Sequence, residues 1–64
     1  MRLVNCERSI HVGTLEEASA AIRRTIEDRD MGGEKWYGYP ENGYVYENCI
    51  KIAHISYNGR IWKG

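Results

Sequence analysis

At 64 residues the chain has room for one small domain, 1–64, because chains divide only when a single core stops growing, far above this length. Nine Lys plus Arg against nine Asp plus Glu leave a formal net charge of zero, which excludes both a strongly basic nucleic-acid coat and an acidic mimic of DNA. A domain of about 60 residues buries only roughly 60% of the surface its unfolded chain exposes, so function is sought on the surface rather than in a deep two-layer cleft.

Met1 to Leu15 holds no apolar stretch of the length a secretory signal needs, and no run anywhere is long enough to span a bilayer, so the chain is expected in a cytoplasm. Its two cysteines, Cys6 and Cys49, are too few for a disulfide framework and are read as buried free thiols.

Val4, Cys6, Ile10 and Val12 fall at even positions with polar residues between them, the period of a half-buried strand. Arg8 breaks the pattern, so a bulge or bend around Glu7-Arg8-Ser9 is expected to make two short strands of one. Thr14 and Glu17 form a capping box that starts a helix, the hydroxyl accepting from an early helical N–H and the carboxylate reaching back to the Thr14 amide. Leu15, Ala18, Ile22, Thr25, Ile26 and Arg29 then follow helical spacing, with small Ala18 and Ala21 allowing close approach to a sheet. Gly32-Gly33 is expected to end the helix in a left-handed turn.

From Lys35 onward the turn signals Pro40-Glu41-Asn42-Gly43 and Asn58-Gly59 separate β-rich runs, predicting strands of roughly 35–39, 44–56 and 60–63, with a bulge at Glu47-Asn48. The fold class is therefore α+β, a single helix packed on an antiparallel sheet of about four strands in the order β-α-β-β-β.

Every aromatic ring lies in the C-terminal half, as Trp36, Tyr37, Tyr39, Tyr44, Tyr46, Tyr57 and Trp62. Met1 to Glu34 holds seven acids against five bases, and Lys35 to Gly64 two acids against four bases, so the ring-rich half is mildly cationic. A loop over 40–43 would place Tyr39 opposite Tyr44 and Tyr37 opposite Tyr46, four rings on one side. A two-residue Asn58-Gly59 turn would set Tyr57 against Arg60 and Ile55 against Trp62, with Ile50, Ile52 and Ile61 facing the core and Cys49, Lys51, Ala53, Ile55, Tyr57, Arg60 and Trp62 facing outward. Tyr and Trp carry large apolar faces with polar tips at low entropic cost, which suits a binding surface; the plain alternative is cross-strand packing on an ordinary sheet.

Cys6 with His11 and Cys49 with His54 share the spacing Cys-x4-His. Residues five apart on a strand point to opposite faces about 17 Å apart, so neither pair chelates one ion without a sharp bend, and no metal or cofactor is expected. His54 is read as a core histidine. The chain has no Gly-rich phosphate loop, His-Glu-x-x-His or nucleophile elbow, so no enzymatic activity is expected.

The order of elements resembles that of very small bacteriophage anti-CRISPR and other anti-defence proteins: a short N-terminal strand, a capped helix of the Thr-Leu-Glu-Glu-Ala-Ser-Ala-Ala kind, and a meander ending in Asn58-Gly59-Arg60-Ile61-Trp62. The resemblance implies a stoichiometric inhibitor that occupies a surface of a host protein or ribonucleoprotein without performing chemistry. The residues expected to carry binding are Tyr37, Tyr39, Tyr44, Tyr46, Tyr57 and Trp62, with Arg60 and Lys51 as polar anchors. The alternatives are a small nucleic-acid binder, using the same rings with Arg23, Arg24, Lys35, Lys51, Arg60 and Lys63, and a nucleotide-sequestering oligomer such as a homodimer.

Overall fold

The computed structural model describes all residues, 1–64. The chain begins with a hairpin of β1 (Arg2–Asn5) and β2 (Arg8–His11). Its turn is Cys6-Glu7, one residue before the expected bend, and both residues have positive φ (51° and 69°), as a two-residue type I′ loop requires. The hairpin also divides the even-numbered apolar set: Leu3 pairs with Ile10, while Val4 pairs with Ser9 on the other side.

Helix α1 (Leu15–Arg29) starts where the capping box placed it, the Thr14 hydroxyl accepting from the Glu17 amide at 3.1 Å. The Glu17 carboxylate reaches one residue further back than expected and accepts from the Gly13 amide at 3.0 Å. Ala18 and Ile22 are buried from the predicted stripe, and Leu15, Ala21 and Ile26 pack at its margins. The helix stops earlier than the glycine pair suggested: Asp30 adopts the left-handed conformation (φ 49°), and Asp is among the few non-glycine residues that visit that region.

The expected strand over 35–39 is instead the short helix α2 (Gly33–Tyr37), followed by turns to Gly43. Trp36 decides this, because one helical turn drops its whole indole into the core, where it is fully buried. Asn42 locks the segment: its side-chain carbonyl accepts from the Cys6 amide at 2.8 Å and its NH2 donates to the Trp36 carbonyl at 2.9 Å. Gly43 (φ 86°) then runs between β1 and β4, donating to the Val4 carbonyl and accepting from the Ile55 amide, each at 2.8 Å. A Cβ there would collide with the Ile55 carbonyl and the Trp36 ring, so only glycine fits.

The long middle strand is two strands, β3 (Tyr44–Glu47) and β4 (Ile50–Ile55), split by a tight turn at Asn48-Cys49 whose φ angles are 53° and 65°. β5 (Ile61–Lys63) completes a five-stranded, wholly antiparallel sheet in the order β2-β1-β3-β4-β5. The β4–β5 loop contains Asn58-Gly59 but is three residues long. Ser56 donates to the Arg60 carbonyl, and Gly59 (φ 88°) donates to the Ser56 carbonyl, the geometry of a three-residue loop whose glycine forms a bulge.

That extra loop residue sets Ile55 opposite Ile61 and His54 opposite Trp62. Ala53, His54 and Ile55 therefore show the reverse of the expected faces, while Lys51, Ile61 and Trp62 face as expected. Ala53 and Ile55 are fully buried, Ile52 and Ile61 only partly, and Ile50 is 65% exposed. The core is the single layer between α1, α2 and one sheet face, built around Trp36, Leu3, Ile22, Ile55 and Val45, all fully buried.

Candidate functional site on the open sheet face

Side chains alternate along β3, so Val45 and its neighbours Tyr44 and Tyr46 must point to opposite faces. Val45 is fully buried in the core, which sends both tyrosines to the face that α1 does not cover. Register carries the assignment across the sheet. Arg2 and Lys51 stand opposite Tyr46, His54 opposite Tyr44, Trp62 opposite His54, and His11 opposite Arg2. A shift in pairing between Val45 and Tyr46 returns Lys51 to the tyrosine side, because β4 carries one more residue there than β3.

The side chains on this face interlock in pairs of cation and ring. The Arg2 guanidinium lies 4.7 Å from the Tyr46 centroid, the Lys51 ammonium 4.2 Å from that of Tyr44, and the Arg60 guanidinium 4.4 Å from that of Trp62. Each such contact contributes about 0.5–1 kcal/mol at an exposed site, enough to orient a side chain but not to sequester it. The Tyr44 and Tyr46 rings are 6.4 Å apart, and His54 meets Tyr44 edge-on at 5.7 Å. Arg2 is further held by donating to the Ser9 hydroxyl at 3.0 Å. At the rim the Tyr46 hydroxyl donates to the Glu41 carboxylate at 2.6 Å, and this hydrogen bond, reinforced by the negative charge of Glu41 and opposed by Arg2, raises the Tyr46 pKa above 10.0.

Of the residues anticipated from sequence, the structure brings together Tyr44, Tyr46, Lys51, Arg60 and Trp62. It separates Tyr37, Tyr39 and Tyr57 from them. Tyr37 belongs to α2 and meets Tyr57 edge-on at 6.3 Å, with the Tyr57 amide donating to its hydroxyl oxygen at 3.4 Å, while Tyr39 packs half-buried against the core. Tyr39 therefore does not face Tyr44, nor Tyr37 Tyr46, because the strand that would have carried them is helical. The three rings that stay on the open face, Tyr44, Tyr46 and Trp62, lie in segments read as strand.

Arg2 and Ser9 also belong to this face and were not singled out, and His54, read as a core histidine, joins them. Only the β1–β3 pairing reveals Arg2 as a neighbour of Tyr46, and the reversed parity of Ala53 to Ile55 moves His54 out of the core. Conversely, Arg23 and Arg24 lie on α1, in the opposite layer, and Lys63 stands opposite Ala53 on the helix side, so the basic residues of the sequence do not form one continuous track.

A groove of about 470 Å³ opens at the Tyr46 end of the face, lined among others by Arg2, Ser9, His11, Tyr46 and Cys49. Cys49 is exposed there rather than buried, whereas Cys6 is buried in the β1–β2 turn. Because β1 and β3 run antiparallel, with Arg2 against Tyr46, the two cysteines sit at opposite ends of the sheet. His11 consequently shares its end with Cys49 and not with Cys6, and no three His, Cys, Asp or Glu side chains come together as a metal site.

Comparison with known proteins returns nothing: no family model, no curated protein and no solved structure matches this chain. Its elements include no helix long and apolar enough to cross a membrane.

Proposed function

We propose that this protein is a non-enzymatic binding module that holds its partner on the open sheet face, with Tyr44, Tyr46 and Trp62 as anchors and Arg2, Lys51 and Arg60 as the charged groups around them. The observation that carries the reading is that three rings on the uncovered side are each capped by a cation rather than by protein core. Tyr, Trp and Arg are the residue types that dominate binding hot spots, and rigid β-strands present them without an ordering cost. The likeness in element order to phage anti-defence proteins adds the role: a stoichiometric inhibitor that occupies a surface of a host protein or protein–nucleic acid complex.

The test is capture of a partner from bacterial lysate by the immobilised protein. The double variant Tyr44→Ala/Trp62→Ala is expected to lose the partner while its far-UV spectrum stays native, and Arg24→Gln on the helix is expected to keep it. Undiminished capture by the double variant would reject the open face as the binding surface.

A further inference from the structure

The chemistry of the open face specifies the partner more closely. The open face carries Arg2, Lys51 and Arg60 with one acid at its rim, Glu41, although the whole chain is neutral; Arg8 and Lys63 point to the helix side. Folding thus leaves the open face with a net positive charge and most of the acids on α1 and its flanks, where Glu16, Glu17, Glu27, Asp28 and Asp30 stand. We infer that the face binds single-stranded nucleic acid, bases stacking on Tyr44, Tyr46 and Trp62 and phosphates meeting Arg2, Lys51 and Arg60. This rests on the binding role proposed above.

Competing magnitudes favour the exchange. A cation over an exposed ring contributes about 0.5–1 kcal/mol, while a base stacked on an aromatic side chain contributes about 1–3 kcal/mol. An incoming base therefore displaces the cation, which swings aside on its flexible stem and finds a phosphate. The ring spacing selects single strands: Tyr44 and Tyr46 are 6.4 Å apart, well beyond the roughly 3.4 Å between stacked bases in a duplex, so bases on both must be splayed. The groove at the Tyr46 end, about 470 Å³, falls in the size range of small-ligand sites and offers Arg2, Ser9 and His11 around one ring, with Glu47 also in its lining, so a terminal nucleotide would turn its phosphate to Arg2 and away from Glu47.

The experiment is fluorescence anisotropy with labelled oligo-dT and oligo-rU of about 15 nucleotides, the upper range of single-strand sites. Three phosphate contacts predict a slope of log K against log salt of about −2, or roughly twenty-fold weaker binding between about 50 mM and 200 mM salt. Trp62→Ala is expected to weaken binding roughly 5- to 150-fold, and Lys51→Gln, a charge-only change on an exposed side chain, to flatten the slope by about 0.7. Arg24→Gln should change neither, and a duplex of the same length should bind more weakly. Absent binding, or binding indifferent to salt and to Lys51→Gln, overturns the inference. If a protein partner is still captured through Tyr44 and Trp62 after nuclease treatment while oligonucleotides do not bind, the nucleic-acid inference falls and the binding role stands.

Discussion

Asn42 is the one buried polar side chain, 4% exposed, and it spends both ends of its amide on backbone groups of separate segments. Asn42→Ala would leave the Trp36 carbonyl with the Tyr39 amide alone and strand the Cys6 amide at about 1–3 kcal/mol, a large share of the roughly 3–10 kcal/mol that a domain this size possesses. Chemical denaturation should show a lowered midpoint with an unchanged slope. Cys49 sits at φ 65°, a conformation that costs a side chain roughly 1–2 kcal/mol and costs glycine almost nothing. Cys49→Gly creates the Asn-Gly pair that type I′ turns prefer and is expected to raise Tm by several degrees, about 4–8 °C for each kcal/mol gained. At Tyr46 the raised pKa means the fold prefers the neutral phenol, so this contribution to stability is present below the unfolded value of 10.0 and is lost as pH rises through the folded one. In an alkaline absorbance titration, Glu41→Gln should move one tyrosine back toward 10.0.

At the level of elements, ends and turns decide which face each strand presents. The α1 N-cap was plain in the sequence because Thr14, Gly13 and Glu17 are neighbours, and the hydrogen bonds they form are local. Thr14→Ala should cost about 1 kcal/mol and lower Tm by about 4–8 °C in thermal melts followed by circular dichroism. The β4–β5 turn was equally visible at Asn58-Gly59, yet its length was not, and one residue in a loop shifts the pairing it closes by one position. Ala53, His54 and Ile55 were misassigned because of that residue together with the extra β4 residue opposite Val45-Tyr46, while Lys51, Ile61 and Trp62 keep their expected faces. The hairpin turns at Cys6-Glu7 and Asn48-Cys49 lack a glycine, so the sequence marked them only as a bend around Glu7-Arg8-Ser9 and a bulge at Glu47-Asn48; pairing of the flanking strands holds their positive φ angles in place.

For the molecule as a whole, 12 of 64 residues are buried, enough for a core on one side of the sheet and none on the other. This one-sidedness leaves one sheet face uncovered and places the proposed anchors Tyr44, Tyr46 and Trp62 on it. Antiparallel pairing of β1 with β3 sends Cys6 and Cys49 to opposite ends, one buried and one exposed. An aromatic disulfide reagent should therefore titrate Cys49 promptly in native protein and Cys6 only as the domain unfolds. Equal, rapid labelling of both would contradict this register.

By itself the sequence determined the α+β class, the start and buried stripe of α1, and the ring-rich character of the C-terminal half, since each rests on residues a turn or a strand pair apart. Tertiary structure decided that residues 33–37 are helical, because Trp36 gains more from the core than from a strand position. It also decided that Arg2 and His54 join Tyr44, Tyr46 and Trp62, because β-sheet neighbours are chosen by pairing between distant segments, and that choice is made only when hydrophobic burial fixes the register.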